Sequence, residues 1–166
     1  VKLGKKDNIT CSYPKYKNGW NVIAKPDGTL VDIETGRNLY ALYWEGKNSN
    51  NNKVQDGFVV KSEDTIAFLE EKLALLGLSE REANEFIIYW APLLEKNPYN
   101  YIYFETMEEI DSYMPLVVSP KPDSLIRIQM DYEPLMEPIS VAEQELITPS
   151  REGFVLAEWG GSIIKD

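Results

Sequence analysis

Carboxylates that stand beside aromatic residues are the strongest candidates for chemistry in this sequence. Glu45 follows Trp44 near the end of one predicted strand, and Glu158 precedes Trp159 near the end of another. Two carboxyl groups ~5–10 Å apart in one cleft can hydrolyse a glycoside, with aromatic rings stacked on the sugar. The simpler interpretation, which we favour, is that these carboxylates are solvated and that the tryptophans are packed in the core or at strand edges.

Other catalytic chemistry is limited by what the chain lacks. It contains no histidine and a single cysteine, Cys11, which excludes a Ser-His-Asp triad, a Cys-His dyad and any histidine-ligated metal site. It also has no Walker-type phosphate loop, no GxGxxG motif and no loop with calcium spacing. We therefore predict no metal and no cofactor. Cys11 is predicted to be a small thiol packed in a strand.

The aromatic residues favour recognition over catalysis. The chain has four tryptophans, ten tyrosines and five phenylalanines, and Trp and Tyr are common anchors of recognition surfaces. Tyrosines that recur at period two, as in residues 99–103, share one face of a strand, and one face of a strand is usually core. The predicted ligand-binding residues are Trp44, Glu45, Trp159, Tyr99, Tyr101 and Tyr103.

Strands joined by tight turns are predicted for the N-terminal part. Residues 20–25 and 29–33 are strand-like, and Asp27-Gly28 between them is a strong hairpin signal. Residues 39–44 are apolar on both faces, which predicts a central strand covered on both sides. The result is a three-stranded meander. The polar run 48–52 is predicted to be an exposed loop.

Two helices are predicted over residues 62–96. The first would begin at Ser62 and end at Gly77, and the second would begin with a capping box of Ser79 and Glu82. Pro92 should kink or end the second helix. The apolar stripes are Ile66, Leu69, Leu73 and Leu76 in the first helix, and Ala83, Phe86, Ile87, Trp90 and Leu94 in the second.

The C-terminal part returns to strands. Residues 125–133 alternate, which predicts that Ile126, Ile128, Met130 and Tyr132 face inward and that Arg127, Gln129 and Asp131 face outward. Residues 107–113 could form one or two helical turns, and residues 154–159 alternate again.

Together these elements predict an α+β fold. It would contain mainly antiparallel sheets from both chain ends, with an inserted two-helix hairpin. We expect one domain over residues 1–166, with strands over ~9–46, the helical hairpin over ~62–96 and strands over ~100–164. The N-terminal and C-terminal strands are expected to share a sheet.

The charge of the chain argues against nucleic acid as a partner. The net charge is −10, and an acidic body repels phosphate backbones, so nucleic-acid binding is not expected. The second helix carries Arg81 against Glu80, Glu82 and Glu85, which disfavours a helix-turn-helix DNA reader.

No apolar run approaches the ~20 residues of a membrane span. Val1 is not a start methionine, so we expect the chain to be trimmed.

The segments 18–20, 43–46, 80–90 and 158–161 resemble those of a family of uncharacterised bacterial proteins. The similarity spans nearly the whole chain. It implies a bacterial origin and a single recurring unit, and it carries over no catalytic residue.

Three hypotheses about function follow. The first is a non-enzymatic domain of a bacterial surface or secreted protein that binds a protein or a glycan, at an extracellular or cell-surface location, with the cytoplasm as the alternative. The second is a carboxylate-based enzyme similar to a glycoside hydrolase, with Glu45 and Glu158 as its catalytic residues. The third is a structural spacer of a larger surface protein.

Overall fold

A computed structural model describes residues 1–4, 8–47 and 56–164. It confirms an α+β fold in which most strand pairs are antiparallel. The strands are β1 (Lys2–Leu3), β2 (Ile9–Tyr13), β3 (Val22–Ala24), β4 (Leu30–Asp32), β5 (Asn38–Leu39), β6 (Tyr43–Gly46), β7 (Asp56–Lys61), β8 (Tyr99–Phe104), β9 (Leu116–Val117), β10 (Ser124–Leu135), β11 (Ala142–Glu143) and β12 (Val155–Ile163). The helices are α1 (Thr65–Leu75), α2 (Glu80–Leu94) and α3 (Met107–Tyr113). The predicted loop 48–52 lies outside the described residues.

The contacts of the chain divide it into two compact units. The first unit comprises Val1–Asn50 with Asp111–Lys121, and the second comprises Asn51–Ile110 with Pro122–Asp166. The expectation of a single domain over residues 1–166 therefore stays a prediction.

The first unit contains the predicted three-stranded meander, in the order β3-β4-β5. Asp27 and Gly28 turn the chain between β3 and β4. The Asp27 carboxylate accepts a hydrogen bond from the Thr29 amide at 2.9 Å, and Gly28 has a φ of 85°. Because a side chain at this φ would be strained, glycine is required at the turn.

The prediction of a single central strand over residues 39–44 is wrong. β5 ends at Leu39, and Tyr43 begins a separate strand, β6, which pairs with β2 in a two-stranded sheet. Leu39 is buried, whereas Tyr40 and Tyr43 are exposed. Among the described residues, each strand of the β2–β6 sheet pairs on one side only, and one face of this sheet is exposed. Cys11, predicted to be packed, lies on that face.

A small core holds the first unit together. Its buried members are Leu3, Tyr16, Trp20 and Met114. The rings of Tyr16 and Trp20 meet edge to face, with centroids 4.8 Å apart. Trp20 Nε1 donates to the Pro14 carbonyl at 2.8 Å, and the Leu3 amide donates to the Tyr16 hydroxyl at 2.9 Å. These two aromatic residues are therefore structural.

The second unit is built on a five-stranded sheet with the order β11-β7-β8-β10-β12. None of β1 to β6 belongs to this sheet. Strands from the N-terminal and C-terminal parts share a sheet only where β1 pairs with β9, in a separate two-stranded sheet of the described residues. The short N-terminal strands pair with partners within the first unit. In the five-stranded sheet, β12 lies parallel to β10 and β11 lies parallel to β7.

The helical hairpin is confirmed, although α1 begins later than predicted. The Ser62 hydroxyl donates to the Glu95 carbonyl at 2.9 Å instead of capping a helix, and a 3₁₀ turn over Ser62–Asp64 precedes α1. The capping box at the start of α2 is present: the Glu82 amide donates to the Ser79 hydroxyl at 3.4 Å, and the Ser79 amide donates to the Glu82 carboxylate at 2.8 Å. Pro92 lies in the last turn of α2, which ends at Leu94.

The helices pack on one face of this sheet and form the main core. Leu69, Leu73, Phe86 and Leu94 from the helices are fully buried, and so are Ile102, Ile126 and Met130 from the strands. Burial of each such side chain stabilises the fold by roughly 1.5–3 kcal/mol. Ile66, predicted to lie on the apolar stripe, is exposed. The inward set on β10 is confirmed.

Two side chains of the connection from β10 to β12, Arg151 and Gln144, form hydrogen bonds with the rest of the second unit. Arg151 Nη1 donates to the Gly77 carbonyl at 2.8 Å, and its Nη2 donates to the Glu82 carboxylate at 3.0 Å. Burial favours the neutral form of Glu82, but the hydrogen bonds from Arg151 and Ser79 outweigh it and lower the pKa of this carboxyl. The Gln144 side chain bonds both the amide and the carbonyl of Phe104, at 3.0 and 2.7 Å.

Two adjacent glycines in β12 provide a test of this packing. A Cβ on Gly161 would lie 2.6 Å from both the Trp90 ring and the Met130 carbonyl oxygen. Gly161→Ala should therefore destabilise the protein by about 1–3 kcal/mol, the usual cost of overpacking. The free energy of unfolding, measured by urea denaturation, checks this.

Gly160→Ala is the matched control. A Cβ there would meet only the end of the Gln129 side chain, at 2.9 Å, which can move away. We expect a cost below about 1 kcal/mol. Equal destabilisation by the two substitutions would contradict the packing of Trp90 against Gly161.

Candidate functional site

The predicted site residues of β6 point to opposite faces of its sheet. Trp44 is half-buried and packs against the core of the first unit. Glu45 is exposed on the other face. The period-two alternation of a strand separates neighbouring residues in this way. A ligand that contacts Glu45 would therefore meet the side chains on the exposed face of the sheet. It would not meet the Trp44 ring, which lies on the opposite face.

The exposed face of the β2–β6 sheet brings two tyrosines together next to Glu45. Tyr13 and Tyr43 are direct partners in the antiparallel register, and they are 55% and 47% exposed. The Tyr43 hydroxyl donates to Glu45 Oε1 at 2.7 Å. Cys11 is the partner of Glu45 in the same register. We call Tyr13, Tyr43 and Glu45 the tyrosine face.

Sequence reasoning missed Tyr13 and Tyr43. Both faces of residues 39–44 are apolar, which predicted burial on both sides and placed Tyr43 in the core. A usable signal was present: Tyr43 and Glu45 share one face at period two, and that face ends in a charge. The pairing with Tyr13 depends on the register of two strands that lie 30 residues apart in the chain, and no local pattern contains it.

Trp159 lies on the helix-covered face of the sheet in the second unit. Its ring meets Phe86 edge to face at 5.4 Å and lies 6.4 Å from the Tyr89 ring. Trp159 is half-buried, whereas Tyr89 is exposed. Part of the Trp159 ring therefore belongs to the core, and part borders an aromatic surface beside α2.

Tyr99, Tyr101 and Tyr103 share one face of β8, as their spacing predicts, but two of them are buried. Burial raises the pKa of Tyr101 and of Tyr103 far above the usual value for a phenol, so both hydroxyls remain donors. The Tyr101 hydroxyl donates to the Asp56 carbonyl, and the Tyr103 hydroxyl donates to Glu109 at 3.0 Å. Their rings are structural.

Tyr99 is half-buried and lines a shallow depression of about 550 Å³ in the second unit. The other lining residues are Lys61, Ser62, Glu63, Glu95 and Pro98. Lys61 Nζ pairs with Glu63 at 2.5 Å, and this hydrogen bond raises the pKa of the lysine. Lys61 and Glu63 are thus paired with each other, and the depression is a weaker candidate than the tyrosine face.

The face of β10 opposite the helices is buried and polar, which corrects a prediction. Arg127 and Asp131, predicted to face outward, are only 6% and 3% exposed. Arg127 Nε donates to Glu158 Oε2 at 2.5 Å, and the arginine side chain is fully buried. Alternation is the same for a solvated face and for a buried polar face, so the pattern alone could not separate them.

Asp131 and Glu105 form a buried pair of carboxyl groups on this polar face. Burial raises the pKa of Asp131, while hydrogen bonds with Ser162 and Glu105 act in the opposite direction. The Ser162 hydroxyl donates to Asp131 Oδ1 at 2.6 Å. Burial is the larger effect, so the neutral form of Asp131 is favoured relative to the same group in water. Because both are almost fully buried, we assign the pair to the interior of the fold and not to a binding site.

The two carboxylates of the glycosidase hypothesis belong to different units. Glu45 lies in the first unit and Glu158 lies in the second, so the structure of neither unit contains a distance between them, and the hypothesis stays a prediction. Over residues 1–4, 8–47 and 56–164, no group of three or more acidic or cysteine side chains is placed to hold a metal ion. Within the same ranges, no helix has the length and apolar character needed to cross a bilayer.

The ion pair can be tested against an exposed glutamate. Glu158→Gln should destabilise the protein by about 2 kcal/mol, because it leaves the buried Arg127 guanidinium without that carboxylate. Glu45→Gln, the same substitution at an exposed strand position, should change stability by less than about 0.5 kcal/mol. Urea unfolding of both variants measures the difference, and similar losses would count against the assignment.

The carboxyl pair should make stability depend on pH. Burial raises the pKa of Asp131 in the folded state. The contribution of this carboxyl to folding stability is therefore fully present below the unfolded pKa of about 3.9, and it is lost as pH rises through the folded pKa. Asp131→Asn keeps the hydrogen-bonding shape without the charge. It should raise the melting temperature by about 2–4 °C at pH 8 and by less at pH 4.

Glu133→Gln is the control for this pH dependence, since Glu133 lies two residues further along the same face of β10. It should shift the melting temperature equally at the two pH values. An Asp131→Asn variant that loses more stability at pH 8 than at pH 4 would contradict the raised pKa of Asp131.

Comparisons with family models, with curated proteins and with solved structures found no match to the chain. The resemblance to a family of uncharacterised bacterial proteins therefore stays a prediction. What bears on function is the geometry of the described residues: an exposed tyrosine face in the first unit, and an enclosed polar network in the second.

Proposed function

We propose that the chain is a non-enzymatic binding module that holds a neutral glycan on the tyrosine face of the first unit. A location at the bacterial surface or in secreted material is part of this proposal. The observation that carries it is the pairing of two exposed tyrosines beside a carboxylate.

The two tyrosine rings provide the apolar part of the site. Side chains directly opposite each other on antiparallel strands have Cβ atoms ~4.5–5.5 Å apart, so Tyr13 and Tyr43 present adjacent ring surfaces on one face. Aromatic rings offer a large contact area with few rotatable bonds, which lowers the entropy lost on binding. The C–H faces of sugar rings are a suitable partner for such a surface.

Glu45 provides the polar part. A carboxylate has two oxygens with about four acceptor positions, so the hydrogen bond from Tyr43 leaves capacity for a sugar hydroxyl. That hydrogen bond also restrains the Tyr43 ring before any ligand arrives. An anionic sugar would be repelled by Glu45, and this is why a neutral glycan is proposed.

Substitution of the two tyrosines tests the proposal. Tyr13→Ala and Tyr43→Ala should each weaken binding about tenfold or more, because residues that anchor an interface contribute about 2 kcal/mol. Neutral glycans that bind the chain would be found on a glycan array, and affinities would be measured by calorimetry. Tyr43→Phe should lose less than Tyr43→Ala, since it removes only the hydroxyl.

Tyr40→Ala is the matched control, because Tyr40 is exposed in the same unit but lies outside β2 and β6. It should leave the affinity unchanged. If no neutral glycan binds, or if Tyr40→Ala weakens binding as much as Tyr43→Ala does, the proposal is wrong.

The two remaining hypotheses give different results in the same assays. A glycoside hydrolase would release reducing sugar from a bound glycan, and Glu45→Gln would abolish the release. A structural spacer would bind nothing on a glycan array or a protein array. A protein partner whose binding depends on Tyr13 and Tyr43 would retain the site but replace the glycan as its ligand.

A further inference from the structure

The edge strand of the sheet in the second unit is long and open. β12 is the last strand in the order of this sheet, and in the part of the chain that the structure describes no strand pairs with its outer side. It has nine residues, compared with about five or six in a typical strand. It contains neither proline nor lysine, the residues that often protect an edge from pairing.

Hydrogen bonds determine which backbone groups of β12 point away from the sheet. The Ile164 amide donates to the Tyr132 carbonyl at 2.8 Å, and the Phe154 carbonyl accepts from the Ser124 amide at 3.2 Å. The backbone N–H and C=O groups of the even-numbered residues of β12 therefore point toward β10. Because successive residues of a strand direct their backbone groups to opposite sides, the odd-numbered residues of β12 direct their N–H and C=O groups outward.

An apolar strip lies beside this edge. The side chains of the odd-numbered residues are on the helix-covered face, where Trp159 contacts the rings of Phe86 and Tyr89. Tyr89 is 53% exposed and Ile163 is 44% exposed. A strand added to β12 would place alternate side chains next to Tyr89, Trp159 and Ile163.

The charge of the second unit indicates what kind of strand would bind. Residues 51–110 and 122–166 contain eight Lys or Arg and twenty-one Asp or Glu, a net charge of −13. Two copies of such a unit repel each other, whereas a basic segment is attracted. The edge thus favours a cationic partner over a second copy of the chain.

We propose that β12 binds an extended, basic peptide segment of another protein, which adds to the sheet as a sixth strand. Its backbone would pair with the outward groups of Ala157, Trp159 and Gly161. Alternate apolar side chains of the segment would cover the strip of Tyr89, Trp159 and Ile163, and its Lys and Arg side chains would be attracted by the net negative charge of the unit. This inference concerns the second unit and does not depend on glycan binding by the first.

Hydrogen exchange of the full chain provides a direct test. The probe is a synthetic peptide of about ten residues that alternates lysine and valine. On addition of this peptide, the amides of Ala157, Trp159 and Gly161 should exchange at least about tenfold more slowly. The amide of Ser162, which already faces β10, should change little. NMR resolves these amides individually.

Substitutions separate strand addition from general charge attraction. Ala157→Pro removes one outward donor without touching the ladder between β10 and β12, and it should weaken binding of the lysine–valine peptide about tenfold. Ile163→Pro is a second variant of the same kind at the end of the strand, for use if Ala157→Pro does not fold. Tyr89→Ala should also weaken binding, whereas Tyr40→Ala should not.

Each other outcome overturns the proposal. Peptide binding that leaves the odd-numbered amides unprotected is charge attraction alone. Equal binding of a glutamate–valine peptide rules out a basic partner. Protection that appears without peptide, and that rises with protein concentration alongside a dimer in sedimentation, shows that a second copy occupies the edge.

Discussion

The close contact between Trp90 and Gly161 is the constraint on which the second unit depends. It lets α2 lie directly over the parallel pair β10 and β12, because β12 has no side chain at the point where the indole ring rests on it. The position of α2 then determines where Phe86, Tyr89 and Trp159 meet. α1 follows through the short turn at Gly77, which Arg151 fastens to the connection that leads back to β12.

The two faces of β10 carry different kinds of side chain, one apolar and one polar, and both are buried. One face carries the apolar side chains that the helices cover. The other holds a buried polar network in which Arg127 forms an ion pair with Glu158 and Asp131 accepts a hydrogen bond from Ser162. Such a network contributes less to stability than apolar packing does, but it constrains the register of the strands, since a slip of one residue would separate every partner.

Local patterns predicted the helices and turns well, because each depends on neighbours in the chain. The capping box at Ser79, the glycine at residue 77 and the hairpin at Asp27-Gly28 are of this kind. Long-range pairing could not be predicted in the same way. The parallel alignment of β10 with β12, the burial of Arg127 and the meeting of Tyr13 with Tyr43 depend on which strands become neighbours, and that depends on the packing of the whole unit.

The Gln144 side chain completes the backbone hydrogen bonds at one end of β8, beside the short edge strand of the sheet. Its amide bonds the backbone of Phe104 on both the donor and the acceptor side, so it occupies the place of a strand residue at that end of β8. The adjoining edge strand, β11, has only two residues. The edge strand on the opposite side of the sheet, β12, has nine residues, so a partner strand finds far more backbone to pair with there than on β11.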